Sequence, residues 1–261
     1  MNIDDFRYMW RGKHLNLLTT QQAHLLDPVS IRGSGTEHAL LLLHGFSSSP
    51  AVYRQIIPAL TDSYDAVICP RLPGHGESIG AFSKAKASDW VTAAEESCDA
   101  LTKEYQHVSV VGLSLGGVLA CHLSQHFALH HLFLLAPAIA LQLKPSLALK
   151  LAHVLQWLGC KYVRNRAGNL YSELYSELAY RKLPIITVIE ILTLINNFHF
   201  VPPSCPTDLF LGRFDEVVNA NLVEKSFLNI PNITIHWLAN SAHVLPLDGD
   251  IDMITACLQR K

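Results

Sequence analysis

Apolar residues in this chain fall into short continuous runs separated by longer amphipathic stretches. Runs at 39–43, 66–69, 108–113, 131–136, 208–211 and 233–238 are short and rich in Leu, Val and Ile. Strands buried on both faces read this way, whereas half-exposed strands alternate. Between them, the spacing predicts helices over 51–60, 88–104, 116–127, 219–229 and 249–259, with Ser88-Asp89 placed to cap the second. Strands alternating with helices predict an α/β protein with a mostly parallel central sheet and helices on both faces.

One segment breaks this rhythm. Residues 137–206 contain no convincing strand but carry amphipathic runs at 146–158, 172–181 and 183–196, and prolines at 202, 203 and 206 mark their exit. The expected organisation is a core of residues 1–136 and 207–261, with 137–206 inserted between two core strands as a helical cap. No internal repeat and no low-complexity tract interrupts the chain.

Composition narrows the function classes. The 261 residues are 49% hydrophobic and 16% charged, enough apolar side chain for a large core and too little charge for disorder. A net charge of −2, with no long Lys/Arg run, argues against a nucleic-acid partner. Cys69, Cys98, Cys121, Cys160, Cys205 and Cys257 show no C-x-x-C spacing and several lie in apolar runs, as free thiols of a reducing compartment do. The acidic start Met1-Asn2-Ile3-Asp4-Asp5 lacks the features of a signal peptide. The longest apolar stretches, 132–143 and 185–195, are too short to span a bilayer. These features predict a soluble cytoplasmic protein without stable membrane insertion.

Chemistry enters at Gly112-Leu113-Ser114-Leu115-Gly116, which follows a β-branched run and precedes a helical one. Strand, G-x-S-x-G, helix places the serine on a sharp turn at a helix N-terminus, where backbone N–H groups are available to a developing oxyanion. A serine hydroxyl needs a base, and the base needs an orienting acid. Of fourteen histidines, His243 in Asn240-Ser241-Ala242-His243-Val244-Leu245-Pro246 lies just past the last predicted strand. Asp215, in Gly212-Arg213-Phe214-Asp215-Glu216, also follows a predicted strand; Glu216 is an alternative acid, and a turn or capping role is an alternative use of Asp215. Asp248 reads as a cap of the last helix. In Leu43-His44-Gly45-Phe46, the Phe46 N–H is a candidate second oxyanion donor beside that of Leu115, and His44 a candidate brace for the loop. His122 and His126 share a helix face but lack the glutamate of H-E-x-x-H, so no metal site is expected there. Pro73-Gly74-His75-Gly76-Glu77 lacks the spacing of a dinucleotide loop.

Taken together, Leu41-Leu42-Leu43-His44-Gly45-Phe46, Gly74-His75-Gly76, Gly112 to Val118, Arg213-Phe214-Asp215-Glu216 and Ser241 to Asp248 resemble bacterial carboxylesterases and monoacylglycerol lipases of the α/β-hydrolase superfamily. The resemblance implies an α/β-hydrolase fold with Ser114 as nucleophile, Asp215 as acid and His243 as base, and with Phe46 and Leu115 supplying oxyanion N–H groups. It implies a small-molecule ester with an apolar acyl chain as substrate, and no cofactor or metal. The same triad acting on a thioester or a C–C bond, or a non-catalytic binding protein on this fold, are the rival readings. The cap and residues 1–26 lie outside the matching motifs. Leu178, Ile185, Ile189 and Leu192 of the cap are expected to contribute to an acyl pocket.

Overall fold

The computed structural model describes residues 2–260. Its centre is a seven-stranded sheet. In chain order its strands are β3 (Val29–Arg32), β4 (His38–Leu43), β5 (Ala66–Cys69), β6 (His107–Leu113), β7 (His131–Leu135), β11 (Thr207–Gly212) and β12 (Ile233–Leu238). The spatial order is β12-β11-β7-β6-β4-β5-β3, parallel throughout except that β3 runs antiparallel to β5. All six strands read from the apolar runs are present. The edge strand β3 escaped that reading because its side chains are half-buried or exposed, leaving no continuous apolar run.

Side-chain alternation splits the core into two layers. Leu41 and Leu43 of β4 and Val108 and Val110 of β6 pack with α3 (Ala87–Glu104) and α4 (Leu115–His126). Leu40, Leu42, Val111 and Leu113 face the other way, with α1 (Ile57–Leu60) and α8 (Ile251–Leu258). The helix expected over 51–60 is broken into a 3-10 turn, Pro50–Tyr53, and α1, with a proline in the first turn of each. A one-turn helix, α2 (Ile79–Phe82), precedes α3, and α7 (Ala220–Phe227) joins β11 to β12.

The stretch 137–206 requires a correction. It does contain two helices, α5 (Pro145–Trp157) and α6 (Ile185–Asn197), which pack on each other. It also holds three strands: β8 (Tyr162–Arg164), β9 (Glu177–Tyr180) and β10 (Lys182–Pro184). The run at 172–181, expected to be helical, ends in β9. This strand pairs antiparallel with β1 (Phe6–Trp10), which forms a hairpin with β2 (Lys13–Leu17), giving a small sheet of order β2-β1-β9. A strand whose hydrogen-bonding partner lies about 170 residues earlier in the chain has no local pattern that declares it. The N-terminal stretch thereby acquires its role, since it completes the sheet on which the inserted segment rests.

Candidate active site

Ser114 sits between β6 and α4 with φ 55° and ψ −109°, a left-handed conformation that is costly for a residue with a Cβ. Both neighbouring glycines have a steric reason. A Cβ on Gly112 would run into the Gly116 carbonyl, and one on Gly116 into the Leu43 carbonyl. The turn is pinned by its own backbone: the Ser114 N–H donates to Leu135 O at 3.0 Å, and the Ser114 carbonyl accepts from the Gly117, Val118 and Ala138 N–H groups.

The Ser114 hydroxyl donates to His243 Nε2 at 3.0 Å, and His243 Nδ1–H donates to Asp215 Oδ2 at 2.8 Å. The other oxygen, Asp215 Oδ1, accepts from the Val217 and Val218 N–H groups, each at 2.8 Å. Both oxygens of this carboxylate are therefore held, and its side chain is only 1% exposed. Burial alone would push the His243 pKa down. The Asp215 charge, its hydrogen bond and, farther off, the charge of Glu177 outweigh this, so the imidazole pKa lies above its ordinary value. Glu216 is exposed, and its backbone N–H donates to Asn169 Oδ1 at 2.9 Å. The structure thus brings together Ser114, His243 and Asp215.

Leu115 is the first residue of α4, so its N–H has no intrahelical partner. Phe46 follows β4 and lines the cavity that holds Ser114, while its ring packs against Phe82 and Trp90. His44 is fully buried. Its Nδ1–H donates to Gly45 O at 3.0 Å and its Nε2 accepts the Leu72 N–H at 3.1 Å. Burial pushes its pKa down to about 4, which keeps the ring neutral and both bonds intact at neutral pH. Its geometry is that of a brace for the loop carrying Phe46.

Several residues around the site have roles that the sequence did not reveal. Asp248 is not a simple helix cap. Its buried carboxylate accepts the N–H groups of Tyr171, Ser172 and Ala242 at 2.8, 2.6 and 2.8 Å, tying the His243 loop to the inserted segment. The Asn169 carbonyl accepts the His243 and Val244 N–H groups. Asn165 donates to Ser47 Oγ and to Tyr180 O. Glu177, on β9, is buried beside the site and accepts the Gly168 N–H at 2.7 Å; burial raises its pKa. Asn165 and Asn169 in a loop, and Glu177 at the start of a strand, obey no spacing rule that singles them out.

The cavity over Ser114 has a volume of about 380 Å³. Its apolar wall comes from Phe46, Leu113, Leu183, Val217 and Val244. Leu178, Ile185, Ile189 and Leu192 do not line it, which corrects the expectation placed on them. Leu178 lies in the core beneath β9, and Ile185 borders a different cavity. Leu183, from the same run of sequence, is the residue that reaches the site. Among the described residues no cluster of three or more His, Cys, Asp or Glu is arranged to hold a metal ion, and His122 pairs with Glu95. No helix among the described residues is long and apolar enough to cross a membrane.

Residues 40–251 match the model of the Alpha/beta hydrolase family. The chain is 28% identical over 220 residues to the thermostable monoacylglycerol lipase of Bacillus sp. (strain H-257), covering 82% of this chain and 86% of that protein. It is 24% identical over 242 residues to a carboxylesterase of Bacillus subtilis (strain 168), covering 88% and 94%. Among solved structures, one from the metagenome-derived lipolytic enzymes LipS and LipT superposes with a TM-score of 0.80 at 23% identity, covering 90% of this chain and 98% of that one.

Proposed function

Because the chain belongs to the Alpha/beta hydrolase family, we propose that it is a carboxylic ester hydrolase working through an acyl-enzyme on Ser114. The observation that carries this reading is the unbroken hydrogen-bond chain from Ser114 through His243 to Asp215, opening on a cavity with one apolar wall. The lipase and esterase relatives favour a carboxylic ester over other acyl compounds.

In this mechanism, His243 Nε2 takes the hydroxyl proton as Ser114 Oγ attacks the ester carbonyl. Asp215 holds the Nδ1–H tautomer and stabilises the imidazolium. The Phe46 and Leu115 N–H groups bind the oxyanion. His243 returns the proton to the departing alcohol, and water then attacks the acyl-enzyme with His243 again as base. Residues 137–206 act as the cap, since Asn165, Glu177 and Leu183 from this segment wall the cavity. The six unpaired cysteines agree with a reducing, cytoplasmic setting.

A series of p-nitrophenyl esters of increasing acyl length tests the substrate class. Each methylene buried against the apolar wall is worth about 0.8 kcal/mol, or about fourfold in kcat/KM. The expected profile climbs from acetate to a plateau where the cavity is filled. A profile flat from acetate upward would reject an apolar acyl subsite.

A further inference from the structure

A second cavity, of about 390 Å³, adjoins the first and shares Arg164, Arg166 and Asn169 with it as walls. Its other lining residues are Arg11, Gly12 and Glu216. Three arginines thus line this second cavity, two of them also lining the cavity that holds Ser114, on a chain whose net charge is −2. Two arginines elsewhere pair with carboxylates, Arg32 with Glu104 and Arg71 with Asp27. Among the described residues Arg11, Arg164 and Arg166 make no ion pair within 4.0 Å, and Arg166 makes no hydrogen bond. All three side chains are exposed, and Glu216 is the one acidic residue lining the same cavity, so positive charge outnumbers negative there by three to one.

The cluster is also built rather than loose. The hairpin turn Arg11-Gly12 is strapped to the loop beneath it. Arg11 N–H donates to Gly168 O, and Gly12 N–H donates to Ala167 O at 3.0 Å. Arg11 Nε donates to Leu170 O at 3.0 Å, and Arg164 Nη2 to Gly12 O at 3.2 Å. The Arg11 guanidinium lies 4.9 Å from the centroid of the Trp10 ring. Arg11 adopts φ 47° and Gly12 φ 69°, in a two-residue turn between the paired Trp10 and Lys13. Such a turn favours Asn, Asp or Gly at its first position, and an arginine there satisfies no local rule. A residue that breaks a local rule beside a site is where function is expected.

We propose that Arg11, Arg164 and Arg166 form an anion subsite, and that the preferred esters carry a carboxylate or phosphate group at a distance from the scissile carbonyl. Guanidinium forks match these oxyanions in bidentate geometry and remain charged at any working pH. The apolar wall over Ser114 accommodates the hydrocarbon between the two ends. The subsite deepens the ester-hydrolase reading and rests on it.

The test compares matched esters at constant ionic strength. One arm pairs monomethyl esters of dicarboxylic acids with methyl alkanoates of equal chain length. The other pairs a monoacylglycerol phosphate with the corresponding monoacylglycerol. The arms separate an anion on the acyl side from one on the alcohol side. In at least one arm the charged ester should lead by about tenfold or more in kcat/KM. In the Arg164→Gln/Arg166→Gln double variant this preference should fall at least fivefold, with Arg166→Lys retaining part of it. Calorimetric titration with inorganic phosphate gives a readout independent of turnover: saturable binding in the wild type, lost in the double variant. Neutral esters favoured in both arms, or a double variant that lowers both members of a pair equally, would overturn the subsite while leaving the hydrolase reading standing. Phosphate binding that depends on the arginines, in a protein that cleaves no ester, would keep the subsite and reject the hydrolase.

Discussion

The seven-stranded sheet and the small sheet that β9 builds with the β1–β2 hairpin hold the same cavity by different means. The first fixes reacting atoms through backbone geometry. Ser114 projects from a strained turn between β6 and α4, and Asp215 and His243 come from loops after β11 and β12. These loops are anchored in a core whose strands are almost wholly apolar. The second fixes the wall of the cavity through buried polar contacts between segments distant in sequence. Asp248, Asn165 and Asn169 join the inserted segment to the His243 loop and to the loop after β4, while Glu177 ties β9 to Gly168 within that segment. Substitutions in the first region should therefore act on the chemical step, and those in the second on stability, proton affinity and substrate choice.

The largest expected effect lies in the core. Asp215→Asn removes control of the His243 tautomer and should cut kcat on the order of 10³- to 10⁴-fold. Glu216→Gln, in an exposed residue outside the chain of hydrogen bonds, should change kcat by no more than a few-fold. Steady-state kinetics on one good p-nitrophenyl ester compares the two. A greater loss with Glu216→Gln would reverse the assignment of the acid.

A smaller effect is expected where the regions meet. Asp248→Ala leaves four N–H groups without their acceptor, that of Ala242 buried and those of Tyr171, Ser172 and Gly249 part-buried. Buried donors left without acceptors cost about 1–3 kcal/mol each before relaxation, so the variant should lose on the order of 3 kcal/mol in urea unfolding. Because Ala242 adjoins His243, kcat should fall as well. Full stability in Asp248→Ala would show that the two regions are joined by other contacts.

The smallest effect separates the two carboxylates that act on His243. The imidazole must be neutral to accept the serine proton, so kcat/KM should rise with pH through the pKa of His243, with a midpoint above 6.5. Both Asp215 and Glu177 favour the protonated ring. Removing one of these charges lowers the pKa and moves the rising limb toward acid. Glu177→Gln should shift it toward acid by less than removal of the Asp215 charge would, since Glu177 is the weakest of the contributions that raise the pKa. A limb that stays in place would confine His243 tuning to the core sheet.

The same contrast explains what could be read in advance. Strands such as β4 and β6 are short runs dominated by Leu and Val, and Ser114, Asp215 and His243 each follow a strand of the central sheet, so their order along the chain points to their meeting. Nothing local marks β9, because Glu177-Leu178-Ala179-Tyr180 becomes a strand only when Phe6–Trp10 arrives beside it. Asp248 looked like a helix cap because its short-range neighbours fit one. Its partners Tyr171 and Ser172 lie more than seventy residues away. Leu183 rather than Ile185 reaches the cavity because Ile185 begins α6 after the chain has turned at Pro184. Long-range pairing and the direction of a single side chain are the features that apolar periodicity does not encode.

The central claim is that Ser114 becomes covalently acylated. Quenching the enzyme in acid during turnover of a slowly deacylating p-nitrophenyl ester, followed by peptide mass spectrometry, tests it directly. One acyl group, of the mass the substrate supplies, is expected on the peptide containing Ser114, with neither adduct nor turnover in Ser114→Ala. An adduct on another residue, or undiminished turnover by Ser114→Ala, would contradict it.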